Sequence, residues 1–190
     1  MPYMERRKIA LGDVLGVLVS LSFPALVYFG RDWLPPQALA LVLLLLIWTR
    51  RTIAFGIRVN GWVVAGSLLL AALAFGSNNS LPLKLYPVMV NGSLLAIFAC
   101  SLRYPPPIAE RVARIGYPDL PQPLVVYTRK VTQAWCLFFG SNALIALWTA
   151  VLAPDYIWFY YNGIIAYVLG GVMFAGEWIT RQRVLRRLHL

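Results

Sequence analysis

The chain has 190 residues, of which 60% are hydrophobic and only 13% charged, with a formal net charge of +10 and a mean hydropathy of +0.69. A water-soluble domain of this size needs far more polar surface, so the composition excludes the ordinary soluble classes and points to an all-α, polytopic transmembrane helical bundle, a single membrane domain over 1–190. The positive charge does not point to nucleic acid, because the basic residues punctuate apolar runs instead of forming a soluble basic face.

At the N-terminus, Arg6, Arg7 and Lys8 precede an apolar stretch that resembles a signal peptide. That stretch is too long for a signal-peptide core, and no small-residue cleavage site closes it, so a retained first helix is expected at 9–29. Further apolar segments follow at 33–49, 61–75, 85–102, 131–152 and 156–180. A membrane span takes about 20 residues, so the second and third are short. They cross a thin membrane, extend into their flanks, or are partly re-entrant, since irregular backbone at membrane depth is tolerated only against protein or water. The longest connection, 103–123, is expected to be a cytoplasmic loop. Pro105, Pro106 and Pro107 stop the fourth helix. Ile108, Val112 and Ile115 then recur at helical spacing beside Arg111 and Arg114, which predicts a short interfacial amphipathic helix on the inner leaflet. An extended return is expected at 117–123, where three prolines recur.

Of the 17 lysines and arginines, only Arg31 and Lys84 fall outside the N-terminus, the second-to-third connection, the 103–130 region and the C-terminus. This asymmetry predicts both termini in the cytoplasm and an even number of crossings. Six is the expected count; four, with a re-entrant pair, is the alternative. Trp33, Trp48, Trp62, Tyr86, Tyr104, Trp135, Tyr156, Trp158 and Trp178 fall near the expected ends, as in an aromatic belt at the headgroups.

Polar groups inside apolar helices are the candidate functional residues. Lys84 opens the fourth helix on the outer side; it is either a snorkelling lysine or a headgroup or anionic-ligand contact countered by Asp32 or Asp155. Asp13 lies one turn into the first helix, within reach of Arg6 and Lys8. Asn91, Gln133, Asn142 and Asn162 are expected to be interhelical hydrogen-bond groups, each contributing ~0.6 to 2 kcal/mol; alternatively Asn91, Asn142 and Asn162 line a polar cavity with Lys84. Gly140 and Ser141, and Gly170, Gly171 and Gly176, have the look of close-packing surfaces. Glu177 stands four residues before Arg181, as in a helical ion pair. Arg103, with Arg129, Lys130 and Glu177, would line any cytoplasmic cleft. The candidate ligand- or lipid-binding residues are therefore Lys84, Asn91, Asn142, Asn162, Glu177 and Arg103.

Cys100 and Cys136 have no CxxC spacing and no neighbouring histidine, so free thiols and no metal are expected. His189, the sole histidine, is a tail residue, which removes Ser/His/Asp and Cys/His arrangements. HExxH, P-loop and GxGxxG motifs are missing, and no carboxylate pair is placed for acid–base work. No catalytic residue and no cofactor is expected.

Two resemblances add to this. Lys84-Leu85-Tyr86-Pro87 running into Asn91, and Ala134-Trp135 followed by Phe138, Phe139, Asn142 and Trp158, are similar to motifs of bacterial intracellular septation protein A, in which lysines stand at the positions of Tyr86 and Asn162. The stretch from Tyr127 to Cys136, Tyr161-Asn162-Gly163 and Ala175-Gly176-Glu177-Trp178 resemble a group of small uncharacterised proteobacterial inner-membrane proteins encoded beside aryl-polyene or fatty-acid-like biosynthetic genes. The resemblance implies an all-helical protein of the bacterial inner membrane and cell envelope. The expected function is a non-enzymatic accessory or scaffold in envelope or lipid-linked biosynthesis or septation. The alternatives are a transporter or flippase-like component for a lipid or polyene product, and a membrane acyl or lipid transferase. The expected partners are membrane lipids, envelope or division proteins, or a second copy of the chain.

Overall fold

A computed structural model describes residues 23–30, 32–49, 61–77 and 79–187. Among the described residues the chain is helical, with no strand. It divides into two compact units, Met1–Tyr86 and Pro87–Leu190. The first helix before residue 23, Asp13, the basic groups Arg6, Arg7, Lys8, Arg31, Arg50, Arg51 and Arg58, and His189 lie outside the described residues.

In the first unit, residues 23–30 are helical (α1). The carbonyl of Gly30 closes this helix by accepting from the amides of Trp33 (3.0 Å) and Leu34 (2.7 Å). Pro36 opens α2 (Pro36–Thr49), a first-turn position where a missing amide hydrogen leaves no bond unmade. α3 (Gly61–Ser77) packs against α2, and the single turn α4 (Leu81–Lys84) follows. At 14 and 17 residues, α2 and α3 are close to the expected segments and remain short for a full span. Both are apolar on every side in sequence, as helices without an aqueous face are. Ala40 on α2 and Ala71 and Ala74 on α3 are buried, small side chains that let two helices approach closely. Gly30 is similarly constrained: a Cβ there would lie 3.3 Å from Leu39 Cδ2. Phe23 is buried and meets Tyr86 edge-on, with ring centroids 5.1 Å apart.

The second unit begins just inside α5 (Tyr86–Arg103) and continues through α6 (Ile108–Gly116), α7 (Gln122–Val151) and α8 (Asp155–Tyr160). A π-helical turn (Tyr161–Ile165) joins α8 without a break to α9 (Ala166–Arg187). α7 is 30 residues long and starts nine residues before the expected segment. The return expected to be extended over 117–123 is therefore helical from Gln122, with Pro121 as N-cap and Pro123 in the first turn, where proline is tolerated. Three helical stretches are long and apolar enough to span a membrane: Leu81–Arg103, Gln122–Val151 and Asp155–Arg187.

The patterning of α7 is the inverse of that of a helix in a water-soluble protein. Its buried residues are Leu124, Thr128, Thr132, Phe139, Asn142, Ala146, Thr149 and Ala150, largely at helical spacing and half of them polar. Its exposed face carries Val126, Leu137, Leu144, Leu147 and Trp148. Against α5, the contact is aromatic: Phe98 meets Phe139 edge-on at 5.2 Å and lies 6.4 Å from Trp135, and within α7 Trp135 stands edge-on to Phe138 at 5.5 Å. Trp135 is thus half-buried in an aromatic cluster, and Trp158 is buried, so neither lies on the outward belt expected of them. Trp33, Tyr104, Tyr156 and Trp178 are exposed.

Candidate functional site

α7 carries a polar cluster toward each end. Toward its C-terminus the partner is the π turn. Tyr161 and Asn162 are consecutive and both buried. Consecutive residues of an α-helix diverge by about 100°; the extra residue of a π turn relaxes that divergence and lets both side chains bond to α7. The Tyr161 hydroxyl donates to Asn142 Oδ1 at 2.6 Å. Asn162 Nδ2 donates to Thr149 Oγ1 at 3.1 Å and to the carbonyl of Trp158 at 2.9 Å. Thr149 Oγ1 donates in turn to the carbonyl of Ala146 at 3.0 Å. Among the described residues no buried side-chain nitrogen or oxygen lacks a hydrogen-bond partner. Such a network holds two helices in one register and spends its polar groups on one another.

Toward the N-terminus of α7 the partner is α6. Its N-cap is Pro107, which offers no side-chain acceptor for the orphan amides of the first turn. Neighbouring helices supply the acceptors instead. The amide of Ile108 donates to Ser101 Oγ on α5 at 3.2 Å, and the amide of Ala109 to Thr132 Oγ1 on α7 at 3.3 Å. Each hydroxyl also donates down its own helix, Ser101 to the carbonyl of Phe98 (2.7 Å) and Thr132 to that of Thr128 (3.0 Å). A hydroxyl has one proton and two lone pairs, so donating to one helix leaves it free to cap another. Glu110 is buried and accepts from Arg114 Nε (2.9 Å) and Nη2 (2.7 Å) at the same oxygen. Arg114 Nη1 reaches the carbonyl of Pro118 and Arg111 Nε that of Pro106, which ties both ends of α6 to the flanking chain. α6 packs on the first turns of α7 as the other arm of a helical hairpin, with Val112 and Ile115 exposed.

The sequence candidates separate on this frame. Asn142 and Asn162 belong to the π-turn cluster. Asn91, expected to bond between helices, donates instead to the carbonyl of Pro87 in its own helix at 2.9 Å. Gln133 is exposed. Lys84 is half-buried in α4 of the first unit. Glu177 forms the expected pair with Arg181, at 3.7 Å, and its backbone carbonyl accepts from the Tyr127 hydroxyl at 3.1 Å, joining α9 to the start of α7. Arg103 is exposed at the end of α5. Tyr161, Thr149, Ser101, Thr132 and Glu110 were not expected. The signal for the threonines was present as a polar run at helical spacing, 128, 132, 142 and 149, on an otherwise apolar helix.

Gly140 and Gly170 approach Leu95 and the Phe138 ring at ordinary contact distances of 3.7 and 3.6 Å for an added Cβ, whereas Gly171 and Gly176 face open space. Cys100 is an exposed free thiol and Cys136 a half-buried one. Among the described residues no group of three or more His, Cys, Asp or Glu side chains is placed to hold a metal. Compared with known protein families, with curated proteins and with solved structures, the chain matches none.

Proposed function

We propose that the chain is a multi-pass protein of the bacterial inner membrane, with six crossings and both termini in the cytoplasm. It acts as a non-enzymatic accessory or scaffold in envelope or lipid-linked biosynthesis or septation. The observation that carries the membrane reading is the inverted pattern of α7. In water, Leu137, Leu144 and Trp148 outside and Asn142 and Thr149 inside would be a costly arrangement; in hydrocarbon it is the favourable one, because every polar group must find its partner within the protein. The segregation of basic residues supports the topology. In the second unit nine of them gather on α5–α7 ends and on α9 that the Ser101, Thr132 and Tyr127 hydrogen bonds bring to one side, while Asp155 stands at the other.

The scaffold reading is supported by how the candidate amides are spent. A transporter needs polar groups left for cargo, and Asn142 and Asn162 are given to Tyr161, Thr149 and Trp158. Two measurements test the proposal. In intact cells Cys100 should react with a membrane-permeant maleimide and be spared by an impermeant one; equal labelling breaks the topology. A photo-reactive residue at Leu144 or Phe174 should give discrete protein adducts; adducts to lipid alone at every exposed apolar position would remove the scaffold.

A further inference from the structure

The proposed membrane frame sets a depth scale. A span of about 20 residues, counted back from Val151, ends at Thr132. The remaining first turns of α7 therefore protrude on the cytoplasmic side by about 15 Å. Thr132 is also the residue that caps α6, and Ser101, the other cap, lies in the last turn of α5. These two hydrogen bonds fix the start of α6 at the membrane boundary. Arg103 follows Ser101 by two residues, and Arg129 and Lys130 precede Thr132 by three and two. All three cations are exposed. Val112, one turn along α6, lies about 6 Å further out, within a headgroup layer of that order of thickness. It and Tyr104 are exposed at that level. Glu110, the acidic residue nearest this collar in sequence, is buried and bound to Arg114, so it does not neutralise Arg103, Arg129 or Lys130.

We infer that Arg103, Arg129 and Lys130, with the exposed Tyr104 and Val112, form a collar that engages the headgroups of anionic phospholipids in the inner leaflet and holds the α6–α7 hairpin against it. This rests on the membrane reading above and adds a partner to it. The cations supply attraction to anionic lipid, and the apolar side chains give the hairpin a reason to settle into the headgroup layer instead of standing in water.

The test is hydrogen–deuterium exchange on the full chain in nanodiscs of phosphatidylcholine alone and of phosphatidylcholine with phosphatidylglycerol in equal parts. Amides of 108–116 and 122–130 should exchange more slowly in the anionic discs, by about fivefold or more, and in the Arg103→Gln/Arg129→Gln/Lys130→Gln variant the difference should vanish. The three side chains are exposed, and the wild-type comparison stands without the variant. Equal exchange in the two lipids, with α7 from 132 to 151 protected in both, overturns the collar while leaving the membrane reading in place, and gives the exposed side of α6 to a protein partner. A lipid effect that survives in the triple variant overturns the assignment to these residues. Rapid exchange throughout 132–151 overturns the membrane reading and the collar with it.

Discussion

The two units bury different chemistry. Among the described residues, the first unit buries Phe23, Val27, Leu39, Ala40, Ala71, Ala74 and Leu83, all apolar. The second buries Ser101, Glu110, Thr128, Thr132, Asn142, Thr149 and Asn162 beside its apolar core. In a hydrocarbon solvent, apolar burial provides little drive, because lipid tails solvate a leucine as well as a helix does. What remains is close packing and directional bonding. The first unit relies on the former, with alanines and Gly30 allowing helices to meet. The second relies on the latter, with hydroxyls and amides fixing α5, α6, α7 and the π turn in register. The first should therefore be sensitive to shape and polarity at small sites, the second to loss of particular donors and acceptors.

The largest expected effect tests the first half of that contrast. Leu39→Asn removes a fully buried side chain beside Gly30 and puts an amide into a unit whose buried residues are all apolar; it should cost about 3 kcal/mol. Equilibrium unfolding in mixed micelles, read with amide exchange in α2 and α3, would show it. A tolerated asparagine there would mean that the first unit has polar capacity and that the contrast is false.

Next comes Asn162→Leu, which keeps the forked side-chain skeleton and removes both bonds to Thr149 and Trp158. A loss of about 2 kcal/mol is expected, confined to the π turn and the end of α7. Tyr161→Phe should cost about half as much, since it removes a single bond and leaves Asn142 an unused acceptor. If both variants unfold at the wild-type midpoint, the buried amides do not specify the second unit. A smaller effect is expected at the other end of α7. Thr132→Val removes one of the two external caps of α6 without changing shape, and should weaken protection of the Ala109 amide by about 1 kcal/mol in exchange experiments, while the π turn is unchanged.

Much of this architecture could be read from the chain. Hydropathy located α2, α3 and α5 within a few residues, because each is bounded by proline, glycine or arginine at the point where the apolar run ends. It missed the first turns of α7, where Tyr127, Thr128, Arg129 and Lys130 break the apolar run without breaking the helix. That stretch is helical because Leu124, Thr128 and Thr132 make a stripe for α6, a periodicity that composition averages away. Asn142 and Asn162 were recognisable as buried amides, but their partners were not. A tyrosine and a threonine in an apolar helix carry no sign of which bond they make, and the π turn that brings Tyr161 and Asn162 together has no fixed sequence signature. Asn91 shows the converse: the same residue type in a similar setting bonds to its own helix.

The smallest expected effect bears on α9, which fits neither half of the comparison. Its 22 residues include none that is buried, and Gly171 and Gly176 on it face open space. A glycine inside a helix costs roughly 1 kcal/mol relative to alanine through backbone entropy. If the space beside Gly171 is filled by lipid, Gly171→Ala meets no obstacle and should stabilise the isolated chain slightly, by a few tenths to about 1 kcal/mol in micelles. It should also leave the apparent mass in mild detergent unchanged. If a second copy or another membrane protein packs there, the same methyl group disrupts a close helix contact, and the mass or the set of cross-linked partners changes while the stability of the isolated chain does not fall. The sign of the stability change thus reports on the fold of the single chain, and the partner readout on what lies beside it. A destabilised single chain would be the surprising result, since it would place a neighbouring element against Gly171 that the described residues do not show.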